Sequence, residues 1–422
     1  MHCDCAQPGF CPRYGKEMLG RLHDICRGVN VDPGTAEQYR QIWLREAGKT
    51  TFPLLTKCPH LGEPVKLENG DNKKEKCELC GGVDRQVFAC THPALEPHET
   101  TMPGCQACEY RPRQTRGVKA LILKNHLSPG DVLVMSAAIY SLHKAHPGKF
   151  ATAVDTTANA LFEHNPDVMR IEDARALDAE EIQMHYPAVN SCNERGITFM
   201  GAYCEFLSSV LNMPIPLLTN RPHVYLSKKE RAWMDQVHEA TGRKQKFWLI
   251  QCGRKNDFTA KFWGTENYQR VVDSLRGRVL FVQVGAAEHH HPPLKNVLNL
   301  TGKTDLRQLV RLCWHAQGVV CGVTMLQHLA AALEKPSVVI LGGREPTTWY
   351  AYPRQQLLHT IGALPCCKSG GCWKSRVEKL NDGAEQDNSL CENPVIGEEV
   401  IPKCMALIRP SEVSEKILLH CS

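Results

Sequence analysis

One short turn connects a buried strand pattern to an apolar helix. It reads Gly322-Val323-Thr324 and is followed by the letters MLQHLAAAL. The first amide groups of a helix have no partner within the helix, and together with the helix dipole they can hold a diphosphate. The sequence therefore predicts an anion site near Thr324 and His328. For His328 the alternative is ordinary packing within the helix.

A second polar loop follows the apolar run KFWLIQCG, which predicts a buried strand. This loop, GRKNDFTAKFW, runs from Gly253 to Trp263 and contains Arg254, Lys255 and Lys261. Positive charge at the carboxyl end of a strand would neutralise a pyrophosphate leaving group. The alternative is a solvated loop with ordinary surface lysines.

A carboxylate occupies the corresponding place earlier in the chain. Gly130-Asp131 lies between the strand pattern VKALILKN and the helix pattern VLVMSAAIYSLHKAHP. A carboxylate at this edge of a sheet can take the proton of an attacking hydroxyl, which predicts Asp131 as a general base. The alternative is a helix cap, since aspartate before an apolar helix often only bonds the first free amides.

Cysteines form the other chemical feature of the chain. Of the 21 cysteines, 16 lie in two zones towards the ends. Clustered thiols in a reducing compartment bind metal more often than they form disulfides, and no export signal supports a secreted disulfide framework. The isolated thiols of the middle are expected in the core: Cys192, Cys204, Cys252, Cys313 and Cys321.

The first zone predicts a structural metal site of zinc-ribbon type. Its two CxxC pairs supply four thiols, Cys77, Cys80, Cys105 and Cys108. Cys58 and Cys90 add further ligands, so no unique tetrad follows. Four more thiols, which could hold a second zinc or an iron-sulfur cluster, are Cys3, Cys5, Cys11 and Cys26.

The second zone can supply a tetrahedral thiolate site for iron or zinc. The predicted ligands are Cys367, Cys372, Cys391 and Cys404, and a tetrad that includes Cys366 instead remains open. A site closed by four protein ligands has a structural role. The run His289-His290-His291 is expected to be a solvent-exposed loop, because consecutive histidines on an extended loop point in alternating directions.

Composition limits the class of protein. The chain has 422 residues and a net charge of +5 with interspersed acidic and basic residues, which does not indicate a broad nucleic-acid surface. No apolar run reaches the length of a membrane span, and the N-terminus lacks an export signal, so the expected location is the cytoplasm.

The element pattern predicts an α/β fold with two Rossmann-like halves, because strand, turn and helix alternate in each half. We expect a cysteine-rich metal-binding module over 1–115 and an acceptor half over 116–224. A nucleotide-sugar donor half follows over 225–365, and a cysteine finger with a terminal helix over 366–422.

Several of these motifs resemble family 9 glycosyltransferases, the bacterial ADP-heptose heptosyltransferases. The resemblance lies in the NLTGKT turn with Gly302, the HLAAAL helix, the strand after Lys335-Pro336, and Lys261-Phe262-Trp263. It implies a two-domain (GT-B) fold. The tail LPCCKSGGCWKSR resembles the four-cysteine iron finger of the bacterial autotransporter heptosyltransferase branch.

The resemblance also implies roles for individual residues. It favours Asp131 as the catalytic base, Lys261 and His328 at the donor phosphates, and Glu288 on the donor ribose. The family usually carries an aspartate where this chain has Val323, so the sugar contact made there is lost or supplied elsewhere.

The function implied is transfer of a sugar, heptose by resemblance, from a nucleotide diphosphate donor such as ADP-heptose to a hydroxyl of a protein or glycan. Metals would be structural, and the cysteine finger could build a homo-oligomer. Two alternatives are an inactive scaffold that acts as a metal-clustered assembly protein, and a zinc-ribbon nucleic-acid binder.

Overall fold

The computed structural model describes residues 118–421 except 186, 187 and 190, and the backbone of four strands between residues 61 and 101. The chain divides into two compact units, Met1–Arg116 and Gly117–Ser422. The predicted ligands Cys3, Cys5, Cys11, Cys26, Cys58, Cys77, Cys80, Cys105 and Cys108 lie outside the described residues.

The four strands of the first unit form an antiparallel sheet. They are β1 (Leu61–Pro64), β2 (Lys74–Lys76), β3 (Asp84–Cys90) and β4 (His98–Thr101). Strand β3 pairs with each of the other three. Cys90 is the last residue of this shared strand.

The second unit begins with a parallel sheet of three strands in which β5 is central. The strands are β5 (Lys119–Asn125), β6 (Phe150–Thr156) and β7 (Glu180–Gln183). The helices of this half are α1 (Pro129–Ala145), α2 (Ile171–Arg175), α3 (Cys192–Arg195) and α4 (Phe199–Leu211). The apolar residues of β5 and α1 are buried, which explains why both were predictable from their letters.

The third strand of this half is not where the sequence pattern predicts it. The segment NPDVMRIED contributes an isolated bridge between Val168 and Thr152 and the start of α2, not a full strand. The reason is a turn at Pro166, in which the Asn165 side chain accepts a hydrogen bond of 2.9 Å from the Asp167 amide.

The rest of the second unit is built on a parallel sheet of six strands, ordered β10-β9-β8-β11-β12-β13. Its strands are β8 (Phe247–Gln251), β9 (Leu280–Gln283), β10 (Leu298–Asn299), β11 (Gly318–Gly322), β12 (Ser337–Gly342) and β13 (Gln355–His359). Its helices are α5 (Lys228–Arg231), α6 (Gln236–Thr241), α7 (Thr265–Ser274), α8 (Leu306–His315) and α9 (Met325–Ala332).

The helix predicted from Lys228 to Gly242 is interrupted. Ser227 caps α5 with a capping box to Glu230, as its position predicts. The chain then leaves the helix, and the Asp235 side chain caps a second short helix by accepting from the His238 amide at 2.7 Å. Two caps in one pattern therefore give two helices.

The C-terminal segment packs on the six-stranded half. It contains β14 (Pro394–Val395), β15 (Ile401–Pro402), α10 (Lys403–Ala406) and α11 (Pro410–Leu418). The hydroxyls of Ser274 and Ser414 lie 2.8 Å apart, so α11 lies on α7. A terminal helix often packs back across the interdomain cleft in this fold type, but this one covers the outside of the larger sheet.

Candidate functional site between the two parallel sheets

A cavity of about 1090 Å³ lies between the carboxyl ends of the two parallel sheets. Helices α1 and α9, one from each half, meet at its wall with their N-termini close together. A Cβ atom added to Gly130 would lie 3.3 Å from Cδ2 of His328 and 3.4 Å from Cα of Met325. Glycine therefore permits the close approach that brings both helix starts to one cavity.

Asp131 lies in the first turn of α1 and lines this cavity. The cap position belongs to Ser128, whose hydroxyl donates to Asp131 Oδ2 at 2.7 Å. The sequence alternative, in which Asp131 is itself the cap, is therefore wrong. A carboxylate on the first turn of a helix is favoured by the helix dipole.

Lys261 follows β8 and reaches the cavity from the larger half. Its Nζ lies 2.9 Å from Oε1 of Glu345, and 24% of its side chain is exposed. Burial lowers the pKa of Lys261, while the carboxylates of Glu345 and Asp131 oppose this shift. The ammonium is therefore held between an acid of its own half and the acid of the other half.

Thr324 is at the start of α9, as the sequence predicts. Its hydroxyl donates to the Gln251 side chain and makes no cap bond to its own helix. The first amides of α9 are thus left to a ligand, because the residue that normally caps them is engaged elsewhere. Val323 also lines the cavity, so no carboxylate is present at that position.

His328 is buried beside the cavity, with 4% of its surface exposed. Its Nδ1 lies 2.9 Å from the Tyr352 hydroxyl. Burial and the charge of Lys261 lower the pKa of His328 to about 3, so the ring is neutral at physiological pH. The geometry gives His328 a packing contact between the halves.

The other predicted ligands lie around the loops that follow β8 and β9. Gly253, Arg254, Glu288 and Gly302 all line the cavity. The backbone of Arg254 pairs with that of His290, and its guanidinium carbon lies 5.6 Å from the centre of the Phe262 ring. Glu288 is exposed at this end of the cavity.

Of the three histidines predicted to lie on an exposed loop, His290 is exposed, whereas His289 and His291 are half-buried. The His291 ring lies between two glycines, since a Cβ on Gly253 or Gly285 would fall within 2.5 Å of it. Burial lowers its pKa to about 4. The glycines that end the two strands create this slot.

Sequence reasoning missed an aromatic and charged wall formed after β12. Arg344, Glu345, Trp349, Tyr350, Trp373 and Phe199 line the cavity. The Phe199 ring of the smaller half stacks on Trp349 with centroids 4.7 Å apart. Their position in the sequence could have predicted them, because Arg344 and Glu345 follow the carboxyl end of a buried strand.

All five cysteines of the finger surround one small cavity of about 10 Å³. Burial raises the pKa of Cys404 to about 11, and the neighbouring thiols of Cys372 and Cys391 act in the same direction. The Cys367 thiol donates to the Leu364 carbonyl at 3.2 Å. Burial and then Cys372 raise the pKa of Cys366.

The finger supports the loop that carries Lys261. The Arg376 guanidinium donates to the Asn256 carbonyl at 3.0 Å. The Ala260 amide donates to the Ser375 carbonyl at 3.0 Å. Residues of the finger therefore hold the backbone of the segment that leads into the cavity-lining lysine.

Within the described residues, one group of three possible metal ligands has all its ligand atoms within 4.8 Å of one another, namely Glu163, His164 and Glu230. Arg307 already pairs with both glutamates of this group. The finger thiols do not form such a group, so metal binding there requires rotation of cysteine side chains.

The five isolated cysteines are buried, as expected. In the part of the chain that the structure describes, no helix is long and apolar enough to cross a membrane.

Two parallel sheets that face one cavity with their carboxyl ends define a fold of the GT-B glycosyltransferase type. Residues 194–372 match the family described as glycosyltransferase family 9 (heptosyltransferase). Lipooligosaccharide heptosyltransferase 2 of Haemophilus ducreyi strain 35000HP is 29% identical over 140 residues, 33% of this chain. The match spans 34% of the length of that relative.

A solved structure shares this architecture. A family 9 glycosyl transferase from Veillonella parvula DSM 2008 has a TM-score of 0.50 at 13% identity, over 72% of this chain and 97% of that one. The iron-containing dodecameric glycosyltransferase TibC from E. coli H10407 has a TM-score of 0.45 at 16% identity, over 80% and 82%. The predicted resemblance to family 9 and the two-sheet fold are confirmed.

Proposed function

We propose that this chain is a glycosyltransferase that moves a heptose from ADP-heptose to a hydroxyl of a protein or glycan. The observation that carries the proposal is the cavity between the halves, with Asp131 on one side and Lys261 with the start of α9 on the other. Such a cavity can bind a donor and an acceptor from opposite sides.

Asp131 is the proposed general base. Its carboxylate takes the proton of the acceptor hydroxyl as that oxygen attacks the anomeric carbon, and the bond from this carbon to the diphosphate breaks. The Ser128 hydroxyl donates to Oδ2 of this carboxylate at 2.7 Å and orients it in the first turn of α1.

Lys261, Arg254 and the first amides of α9 stabilise the departing diphosphate. The amides of α9 are fixed by the fold before the ligand arrives, and fixed donors stabilise developing charge without reorganisation. Glu288 is proposed to bind the ribose. Gly253 and Gly302 line the same end of the cavity and carry no side chain that would narrow it. A Cβ on Gly302 would lie 2.9 Å from Cβ of Ala287.

The finger is proposed to bind iron or zinc through Cys367, Cys372, Cys391 and Cys404, with Cys366 as the alternative to Cys367. Four thiolates suit either metal in a tetrahedral site. The metal would fix the finger, and through it the loop that carries Lys261. We expect the purified chain to contain metal by elemental analysis and Cys372→Ser to contain about one metal ion fewer per chain. The buried core variant Cys313→Ser should keep it, and equal metal content in both variants would contradict the assignment.

The donor proposal is tested by calorimetric titration with ADP, UDP, GDP and CDP. We expect selective binding of ADP, weakened about tenfold or more in Lys261→Ala because a charge-assisted contact to phosphate is lost. Lys246→Ala, which removes an exposed charge just before β8, is the matched control and should bind as the wild type does. Absence of binding by any nucleotide would favour the inactive scaffold, and a shift of oligonucleotides at low salt would favour the nucleic-acid alternative.

A further inference from the structure

Glu345 differs from the other acidic residues that line the cavity. Asp257, Glu288 and Asp305 are exposed and Asp131 is half-buried, whereas Glu345 has 2% of its surface exposed. A buried carboxylate is costly to desolvate and is found where partners hold it.

The two carboxylate oxygens of Glu345 differ in their hydrogen-bond donors. Its Oε1 atom accepts from both Lys261 and Arg344. Its Oε2 atom is buried, and within the described residues no group donates to it with ordinary hydrogen-bond geometry. The Tyr350 hydroxyl is near enough to help hold the pKa of Glu345 below its usual value, against the effect of burial. Oε2 therefore has no donor with ordinary hydrogen-bond geometry among the described residues, although the Tyr350 hydroxyl lies close to the carboxylate.

Binding of a diphosphate would leave the Glu345 carboxylate with fewer hydrogen-bond donors. A phosphate that draws the Lys261 ammonium to itself removes one of the two donors from Oε1. An ionised carboxylate that loses a buried partner pays a large desolvation cost unless new donors replace it. Hydroxyl groups of the ligand can supply such donors, because Oε2 has no well-aligned donor among the described residues.

The surroundings of Glu345 suit a sugar ring. Trp349, Tyr350 and Trp373 line the same part of the cavity, and the rings of Trp349 and Trp373 lie 6.1 Å apart in an edge-to-face arrangement. Aromatic rings supply apolar surface, and a carboxylate supplies two acceptors for hydroxyl donors. A ligand that carries phosphate next to several hydroxyls fits Lys261 and Glu345 together.

We propose that Glu345 is a specificity-determining residue that accepts hydrogen bonds from hydroxyls of the transferred sugar after Lys261 has moved to the donor diphosphate. This inference rests on the proposed function and adds the sugar contact to it. The competing interpretation is that Glu345 only positions Lys261 and Arg344.

The test compares the affinities of ADP and ADP-heptose in the wild type, Glu345→Gln and Glu345→Asp. The readout is the ratio of the two dissociation constants, Kd for ADP over Kd for ADP-heptose. We expect this ratio to fall about tenfold or more in both variants, because the amide and the shorter acid each lose a charged contact to a sugar hydroxyl. ADP alone should bind Glu345→Gln as tightly as the wild type or more tightly, since a negative charge near the phosphates is removed.

Two controls separate the outcomes. Glu415→Gln removes an exposed negative charge on α11 and should leave the ratio unchanged. Glu345→Asp keeps the charge beside Arg344, so it remains informative if Glu345→Gln does not fold. A ratio that stays within about twofold of the wild type in the folded variants overturns the inference while ADP binding still supports the donor site. A wild type that binds neither compound overturns the proposed function itself.

Discussion

The two halves of the second unit present different chemistry to the same cavity. Among the described residues that line the cavity, the smaller half contributes Asp131 and no basic side chain, whereas the larger half contributes the basic residues Arg254, Lys255, Lys261 and Arg344 together with four acids. An acid alone can remove a proton, while a set of cations can hold a diphosphate but cannot activate a hydroxyl. The difference indicates a division of work in which the smaller half activates the acceptor and the larger half holds the donor.

The substitution Asp131→Asn tests this division of work with the largest expected effect. The amide can still accept from Ser128 but cannot take a proton, so we expect sugar transfer to slow by about 10²- to 10⁴-fold. ADP affinity should stay within about twofold of the wild type, because the donor is held by the other half. The measurements are turnover of ADP-heptose and calorimetry with ADP. Asp173→Asn, which removes a half-buried acid paired with Arg170 and remote from the cavity lining, is the control, and a normal rate in Asp131→Asn would refute the division.

A second prediction concerns the residues that join the halves. Arg307 of α8 donates to the Tyr225 carbonyl at 2.6 Å and to the Ala160 carbonyl of the smaller half at 3.4 Å, and it pairs with Glu230. Burial would raise the pKa of Glu230, but hydrogen bonds from Arg307 and the Ser227 amide hold it at about 2, below its ordinary value of 4.5.

A lowered pKa stabilises the folded state at pH values above 4.5, and this contribution is lost as the pH falls towards 2. We expect Glu230→Gln to be less stable than the wild type at pH 7 by on the order of 2 kcal/mol, and the gap to close in acid. Urea unfolding at pH 7, 5, 4 and 3 measures it. Glu415→Gln should follow the wild type, and a gap that is constant with pH would contradict the pairing.

The smallest expected effect is at Gly130, where the two halves touch. The methyl group of Gly130→Ala would crowd His328 and the backbone of Met325, so we expect a loss of about 1 kcal/mol in stability. Gly397→Ala has no close neighbour of this kind and is the control. Thermal unfolding compares the two, and equal melting temperatures would show that the helix starts can separate freely.

The sequence predicts the regular parts of the fold because their signals are local. Strands β5, β6, β8, β11 and β12 are short runs of buried apolar residues, and such runs carry their own pattern. The caps of α5 and α8 are equally local, since Ser227 and Asp305 each bond an amide three residues away. The sequence pattern did not predict that the helix ends after α5, because a second cap residue, Asp235, lies within what reads as one helical pattern.

The candidate site was predictable where it follows a motif and not where it depends on distant partners. Gly130, Asp131, Lys261 and Thr324 all reach the predicted cavity. The pairing of Lys261 with Glu345 joins residues far apart in the chain, and nothing in either local sequence specifies it. The same applies to His291, whose burial depends on glycines at the ends of two separate strands.

The most direct test is hydrolysis of ADP-heptose to ADP and free heptose by the purified wild-type chain, with water in place of the acceptor hydroxyl, followed with time at saturating donor. The account predicts that ADP accumulates in proportion to the amount of protein and that Asp131→Asn, which still binds ADP, releases it at least about a hundredfold more slowly. No release by a wild type that binds ADP, or equal release by both proteins, would contradict the account.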